Sequence, residues 1–336
     1  MKLTTPATVG ITGVGSYLPA RTLTDHDVDE RLAAAGLSTP PGLIRHITGI
    51  ESRRLMADDE QASTLAVRAA TDLLEHHNVD RADIDLLIFA SASQDFVEPA
   101  TAHVVQHELS ISGHCFDVTN ACNSFLNGID VARSMVAMGR ARKALVVTGE
   151  SPSRAVRWQV KSLAEFRESF AGYTFGDAGA AVLIEPVEQG GILDIAAQAH
   201  SEHWKIGGLS GGGSVHPRGD EWTYFRGDGD KLRGAFEQLG PELVTQLQEG
   251  HSLTWDDLTY VLVHQVTVSY LDRFIEFTGI PSHLVVRTVG HYGNLASATL
   301  GVQLAEIYDK LTTGNRVLMI GLGGGISVST MLWEKS

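Results

Sequence analysis

The chain reads as an α/β protein in which largely parallel sheets are covered by helices. Three observations carry that reading. Apolar strand-like runs alternate along the chain with stretches whose apolar residues recur at helical spacing. Charged side chains make up only 20% of the residues while glycine numbers 35, which suits close-packed strands and tight turns better than a disordered chain. The pattern also runs twice: Ala144-Leu145-Val146-Val147 followed by Gly176 to Leu183 is echoed by Val317-Leu318-Met319-Ile320 followed by Gly323 to Val328. An internal duplication of an αβ unit explains the echo. It places the break at Val187-Glu188-Gln189-Gly190-Gly191, giving an N-terminal half of residues 1–187 and a C-terminal half of residues 188–336.

In order, Val9 to Ser16 is a strand, followed by a polar helix and turn region to Thr48. Glu60 to Glu75 is an amphipathic helix, Asp85 to Ala92 a buried strand, Thr101 to Leu109 a helix and His114 to Thr119 a strand. From Ala121 to about Met138, Phe125, Leu126, Ile129, Val131, Met135 and Val136 fall at helical spacing. Strands at Lys143 to Thr148 and Gly176 to Pro186 close the first half. The second half repeats the alternation: strand Ile192 to Ala199, helix Lys231 to Glu249, strand Tyr260 to His264, helix Val266 to Thr278 and strand Leu284 to Thr288. Helix Ser297 to Leu311 and strands Arg316 to Leu322 and Ile326 to Trp333 complete it. Two stretches interrupt the regularity and read as lids: Ser151 to Tyr173, long enough for a helical insertion, and His203 to Asp230, rich in glycine and charge.

Composition excludes several functions. With 40 acidic and 26 basic side chains the net charge is -14, which offers no positive field to nucleic acid or anionic lipid. No apolar run approaches the roughly 18 residues that a membrane span needs, and the first residues lack a secretory signal pattern, so a cytoplasmic protein is expected. No HExxH or CxxC spacing occurs among the 14 histidines and two cysteines, so no metal is implied. Gly13-Val14-Gly15-Ser16-Tyr17-Leu18-Pro19 follows a strand, but Pro19 and the polar segment after it do not open the helix of a dinucleotide site. Gly323-Gly324-Gly325 lies between two strands with no Lys-Ser/Thr after it and reads as a hairpin rather than a phosphate loop.

The most informative residue is Cys122. It stands where a strand gives way to a helix, and in the first helical turn the free N–H groups and the dipole would favour thiolate. Far downstream, Val263-His264-Gln265 and Gly290-His291-Tyr292-Gly293-Asn294 each follow an apolar strand-like run. A cysteine with a distant histidine and asparagine is a nucleophile with polarising partners. Cys115, in the strand, reads as plain core.

These motifs in this order resemble the thiolase superfamily, and within it the 3-oxoacyl-(acyl-carrier-protein) synthase III group. The likeness runs through Gly13 to Pro19, Thr48-Gly49-Ile50 with Arg53-Arg54, Ala121-Cys122, Phe175-Gly176-Asp177, His264-Gln265, Gly293-Asn294 and Gly323 to Gly325. The resemblance implies a five-layered αβαβα thiolase fold with two pseudo-twofold-related halves, a homodimer, and no cofactor beyond coenzyme A or acyl-carrier-protein thioesters as substrates. It implies that Cys122 takes an acyl group from a thioester, with the backbone N–H groups of Cys122 and Gly324 as oxyanion donors. His264 and Asn294 would hydrogen-bond the carbonyl of the second thioester during a Claisen condensation.

Departures from the family pattern bear on substrate. Leu43 and Ile47 stand where related enzymes place a Trp and an Arg for the coenzyme A adenine. The stretch Val266 to Phe277, which would face a carrier protein, offers Arg273 alone against Asp272 and Glu276. Glu98 occupies the loop that in this family crosses the dimer. It resembles the base of enzymes that join two acyl thioesters without decarboxylation, and an apolar setting would suit it to that task. The rival expectation is an acyltransferase that passes the Cys122 acyl group to an alcohol or amine with no C–C bond formed.

Overall fold

The computed structural model describes residues 7–37 and 39–336. Two sheets carry the architecture. The first is built from β1 (Val9–Tyr17), β4 (Leu86–Ala90), β5 (His114–Val118), β6 (Ala144–Glu150) and β7 (Ala178–Pro186), in the order β1-β7-β6-β4-β5. The small hairpin β2 (Arg21–Thr24) and β3 (Ser52–Leu55) lies outside it. The second sheet takes β8 (Gly191–Ala199), β11 (Tyr260–Val263), β12 (Arg316–Gly323) and β13 (Ser327–Glu334), in the order β11-β12-β13-β8. The two-residue strands β9 (Gly207–Gly208) and β10 (Arg226–Gly227) pair with each other in the glycine-rich excursion. The sheets share one connectivity. β4 and β6 are parallel as β11 and β12 are, β6 and β7 are antiparallel as β12 and β13 are, and β1 closes on β7 as β8 closes on β13.

The helices in chain order are α1 (Asp25–Ala34), α2 (Leu43–Thr48), α3 (Ala62–His76), α4 (Thr101–Leu109), α5 (Ser124–Ala137), α6 (Leu163–Ser169), α7 (Gly229–His251), α8 (Val268–Thr278), α9 (Val289–Tyr292) and α10 (Ala298–Ile307). Three apolar clusters define the layering. Leu73, Ala69 and Val105 of α3 and α4 pack on Leu87 and Leu145 of the first sheet. Phe125 and Ile129 of α5 with Leu300 and Leu304 of α10 fill the space between Ile88 and Val146 of one sheet and Met319 and Met331 of the other. Leu243 and Phe274 of α7 and α8 cover Leu318 and Ile320 on the far side. The result is αβαβα, as the resemblance implies. The central α10 is buried along most of its length, whereas α5 keeps Asn127, Asp130, Arg133 and Ser134 along its more open side.

Three expectations need correction. The run Leu284 to Thr288 is not a strand: Ser282–Leu284 forms a 3-10 turn and one bridge joins Val285 to Val261. Most of its backbone donors are diverted: the Leu284 and Val285 N–H groups donate to the Pro281 and Ser282 carbonyls at 3.0 and 3.3 Å, and the Thr288 N–H donates to Gln265 Oε1 at 3.0 Å. The helix after Cys122 begins at Ser124 rather than Ala121. The insertion after Ser151 is no loose lid; Val156, Val160, Phe166 and Tyr173 bury themselves against Leu23, Val28 and Leu32 of β2 and α1.

Candidate active site

Cys122 sits in the turn between β5 and α5, one residue ahead of the helix cap Asn123. The turn is local chemistry. The Asn120 N–H donates to Ser124 Oγ at 2.8 Å, Ser124 Oγ donates to the Ala121 carbonyl at 2.6 Å, and Ala121 adopts a left-handed φ of 47°. Helical geometry starts only after that kink, so Cys122 lies outside the first helical turn expected from the sequence.

The thiol does not behave as a dipole-activated thiolate either. The residue is half-buried, yet burial of the thiol dominates and, with the nearby Glu150 charge, pushes its pKa up to about 12. The backbone N–H groups of Gly324 and of Cys122 itself face the sulfur and pull the other way. These are the two donors expected at the oxyanion position.

Gly324 reaches the sulfur because the β12–β13 turn is drawn down onto α5. Asn123 Nδ2 donates to the Ser327 carbonyl and hydroxyl at 3.0 and 2.8 Å. At Gly321 a Cβ would stand 2.0 Å from Asn123 Oδ1, so only glycine permits the approach. The glycine run is therefore a hairpin that brings a backbone donor to the Cys122 sulfur.

His264 directly follows β11, its N–H bonded to the Ile320 carbonyl at 2.8 Å. It is 2% exposed, and burial lowers its pKa to about 4, partly offset by the Ala296 backbone. The ring is thus neutral at physiological pH, and its Nδ1 is buried without a hydrogen-bond partner among the described residues. Asn294, buried beside the Thr174–Gly176 segment, accepts the Ala296 N–H through Oδ1 at 3.0 Å. That bond fixes the amide so that Nδ2 is turned away as a donor. Ala296 thereby links His264 and Asn294.

Glu150 was not anticipated. It ends β6, is 0% exposed, and gathers donors from Ser91 Oγ, the Ala92 N–H, Ser93 Oγ and N–H, and Ser297 Oγ. Burial raises its pKa in spite of those bonds. The signal was present in the sequence as an acid closing the apolar run Ala144 to Gly149. Gln265, the second residue of the His264-Gln265 pair, pins the segment that leads to Asn294, with Nε2 donating to the Val286 carbonyl at 2.5 Å.

Glu98 lies apart within the single chain. It is exposed on the loop with Phe96 and Val97, 54% and 73% exposed, and no hydrogen bond or ion pair ties it to Cys122, His264 or Asn294. Leu43 is half-buried and Ile47 is 45% exposed on α2, whose Ile47 carbonyl accepts from Ser269 Oγ of α8. Arg273, the lone base of α8, is paired with Glu237. Cys115 is buried, as expected of core, with Sγ 3.3 Å from His103 Nδ1. No cluster of three or more metal-ligating side chains occurs among the described residues, and no helix is long and apolar enough to cross a membrane.

Comparison with known proteins identifies the family and the fold. The N-terminal model of 3-oxoacyl-(acyl-carrier-protein) synthase III covers residues 116–201 and its C-terminal model residues 249–335. A beta-ketoacyl-(acyl-carrier-protein) synthase III of Porphyromonas gingivalis is 30% identical over 326 residues, 94% of this chain and 93% of the relative. One from Desulfitobacterium hafniense is 30% identical over 339 residues, covering 97% and 98%. Among solved structures, Xanthomonas campestris OleA with bound lauric acid and lauroyl-CoA superposes with a TM-score of 0.88 at 27% identity, covering 98% of this chain and 99% of that one. Cerulenin-bound OleA, also at a TM-score of 0.88 and 27% identity, covers 98% of each chain. The chain therefore belongs to the 3-oxoacyl-(acyl-carrier-protein) synthase III family of condensing enzymes, on the thiolase fold.

Proposed function

We propose that the protein is an acyltransferase that loads an acyl group from a thioester onto Cys122 and condenses it with a second thioester to a β-ketoacyl product. The observation that carries this reading is the pair of backbone N–H groups, from Gly324 and Cys122, aimed at a desolvated sulfur. Such donors stabilise the tetrahedral oxyanion formed when Sγ attacks a thioester carbonyl, and the dry setting strengthens them. The resting thiol is neutral, so as the Sγ–C bond forms and the donor's C–S bond breaks, the Sγ proton passes to the departing thiolate, which leaves as a free thiol.

The second step falls to His264 and Asn294. A neutral imidazole and an amide with its Nδ2 turned outward are donors for the carbonyl of the second thioester, whose enolate is the carbon nucleophile. A protonated histidine would quench that enolate; burial prevents it. For the donor we favour an acyl-coenzyme A of medium to long chain, since OleA holds lauroyl-CoA on the same fold. Solved OleA structures include variants of a glutamate, which supports Glu98, supplied across a homodimer, as the base on an unactivated acyl thioester. A carrier protein, if it is a partner, docks on groups other than Arg273, which Glu237 engages. We place the protein in the cytoplasm, with residues 1–187 and 188–336 as the duplicated halves.

Product analysis tests the reading. Lauroyl-CoA alone should give a β-keto acyl product, and Glu98→Gln should abolish it. Product only when malonyl thioester is added would assign the decarboxylating route and remove Glu98 as base. An ester or amide with no β-keto product would replace condensation by simple acyl transfer.

A further inference from the structure

The motif Phe175-Gly176-Asp177, to which the chemistry above gives no role, runs alongside Asn294. The Asn294 N–H donates to the Thr174 carbonyl at 2.8 Å, and the Gly176 N–H donates to the Asn294 carbonyl at 3.0 Å. Both backbone groups of Asn294 are thus satisfied by the segment that ends the insertion after Ser151. The approach is close. A Cβ on Gly176 would run into the Tyr292 carbonyl oxygen, two residues before Asn294.

That segment is itself fastened from behind. Arg53 Nε donates to the Tyr173 carbonyl at 2.7 Å, and the Asp177 N–H donates to the Arg54 carbonyl at 2.8 Å, so both ends are held on β3. The Asp177 side chain completes the hold. It is 0% exposed, and its carboxylate accepts the Met56 N–H at 2.9 Å, the Ser153 N–H at 3.0 Å and the Ser153 hydroxyl at 2.6 Å. Met56 follows β3 and Ser153 lies in the 3-10 turn that opens the insertion, so one buried carboxylate joins the start of the insertion to its end. Burying a charge there is costly: desolvation pushes its pKa up to about 6, while the bonds from Ser153 and Met56 and the Arg154 charge pull the other way. No hydrogen bond joins the Asp177 side chain to Cys122, His264 or the Asn294 side chain among the described residues, so its effect on them runs through the backbone.

We propose that Asp177 is a positioning residue for the condensation step: by fixing the segment from Tyr173 to Gly176 it sets where Asn294 presents Nδ2 to the second thioester, given the role of Asn294 in that step. A donor displaced by a fraction of an ångström loses much of its hold on a developing enolate. Loading of Cys122 does not depend on this hold, because the turn that carries the Gly324 N–H is fastened separately, through Asn123 and Ser327.

Hydrogen exchange read by mass spectrometry, together with separate assays of Cys122 acylation and of β-keto product from lauroyl-CoA, tests the assignment. In Asp177→Asn the Asn294 and Gly176 amides should exchange roughly tenfold faster or more, while peptides holding Cys122 and Gly324 exchange as in the wild type. Product formation should fall roughly tenfold to 100-fold with the rate of Cys122 acylation unchanged. Ser153→Ala removes the 2.6 Å hydroxyl bond at a half-buried position and should give a smaller loss of the same kind. Ser153→Thr, which restores the hydroxyl, should recover it; this pair decides the matter if Asp177→Asn does not fold. Unchanged exchange at Asn294 in the folded variants, or equal losses in acylation and condensation, would overturn the proposal. A wild type that acylates Cys122 but yields no β-keto product would contradict condensation instead, and exchange at Asn294 would still decide whether Asp177 positions it.

Discussion

Glu150 and Ser297 meet through a 2.5 Å hydrogen bond that joins the end of β6 to the cap of α10. Both are buried, and the bond ties the sheet that leads to Cys122 to the helix that follows Asn294. Ser297 is also the counterpart of Cys122. Each follows an alanine held at a left-handed φ of 47°, Ala121 in one half and Ala296 in the other, just before a central helix. The repeated turn presents a thiol in one half and a hydroxyl in the other, with Glu150 acting on both.

That placement predicts the thiol's chemistry. Burial is the larger cause of the raised Cys122 pKa, and the Glu150 charge adds to it. Glu150→Gln should therefore lower the apparent pKa seen in the pH dependence of Cys122 alkylation by iodoacetamide. It should also reduce unfolding free energy by about 2–4 kcal/mol, because an amide N–H2 then faces donors that need an acceptor. A folded variant with an unshifted alkylation profile would show that Glu150 exerts no charge on the sulfur.

His264 predicts a pH dependence of stability with a definite sign. Its pKa is about 4 in the fold against an ordinary 6.5, so the unfolded chain binds the proton more readily between those values. The contribution of the neutral ring is fully present above pH 6.5 and is lost as pH falls towards 4. Urea unfolding of wild type and His264→Asn at pH 7 and 4 should show a loss larger by about 3 kcal/mol in the wild type. Equal losses would mean that the histidine is not desolvated.

Asn294→Asp keeps the oxygen that accepts the Ala296 N–H but removes the outward Nδ2 donor. Condensation should fall by about 100-fold or more while acylation of Cys122 persists. Parallel assays of product and of protein mass separate the two steps, and equal loss in both would refute the division of labour.

Gly321→Ala forces a Cβ to within 2.0 Å of Asn123 Oδ1 and 3.0 Å of Leu126 Cδ1. Overpacking of this kind costs about 1–3 kcal/mol, visible as a lowered melting temperature. Unchanged stability would show that the β12–β13 turn is not drawn tightly onto Asn123.

Much of this was legible in the sequence, and the exceptions have physical reasons. Long apolar runs such as Ala144–Glu150 and periodic helices such as Thr101–Leu109 announce themselves, because burial on one face or two leaves a period behind. Leu284 to Thr288 looked like a strand and is not, since the 3-10 turn takes the Leu284 and Val285 N–H groups and Gln265 takes that of Thr288. The delayed start of α5 depends on Ser124 bonding backward, a local competition that apolar spacing does not record. His264 stood out as a polar residue directly after an apolar run, and Cys122 and Asn294 as members of polar segments that follow one. Glu150 has the same signature but carries no nucleophile or base motif, so its place beneath the thiol emerged only from the fold. Asp177 was visible as the acid of Phe175-Gly176-Asp177, while the donors it gathers from Met56 and Ser153 are a fact of packing.

The most direct measurement is the intact mass of the protein after exposure to lauroyl-CoA. The account predicts one added acyl group, mapped to Cys122 and absent in Cys122→Ala. An unmodified wild-type mass, or the same adduct in Cys122→Ala, would contradict it.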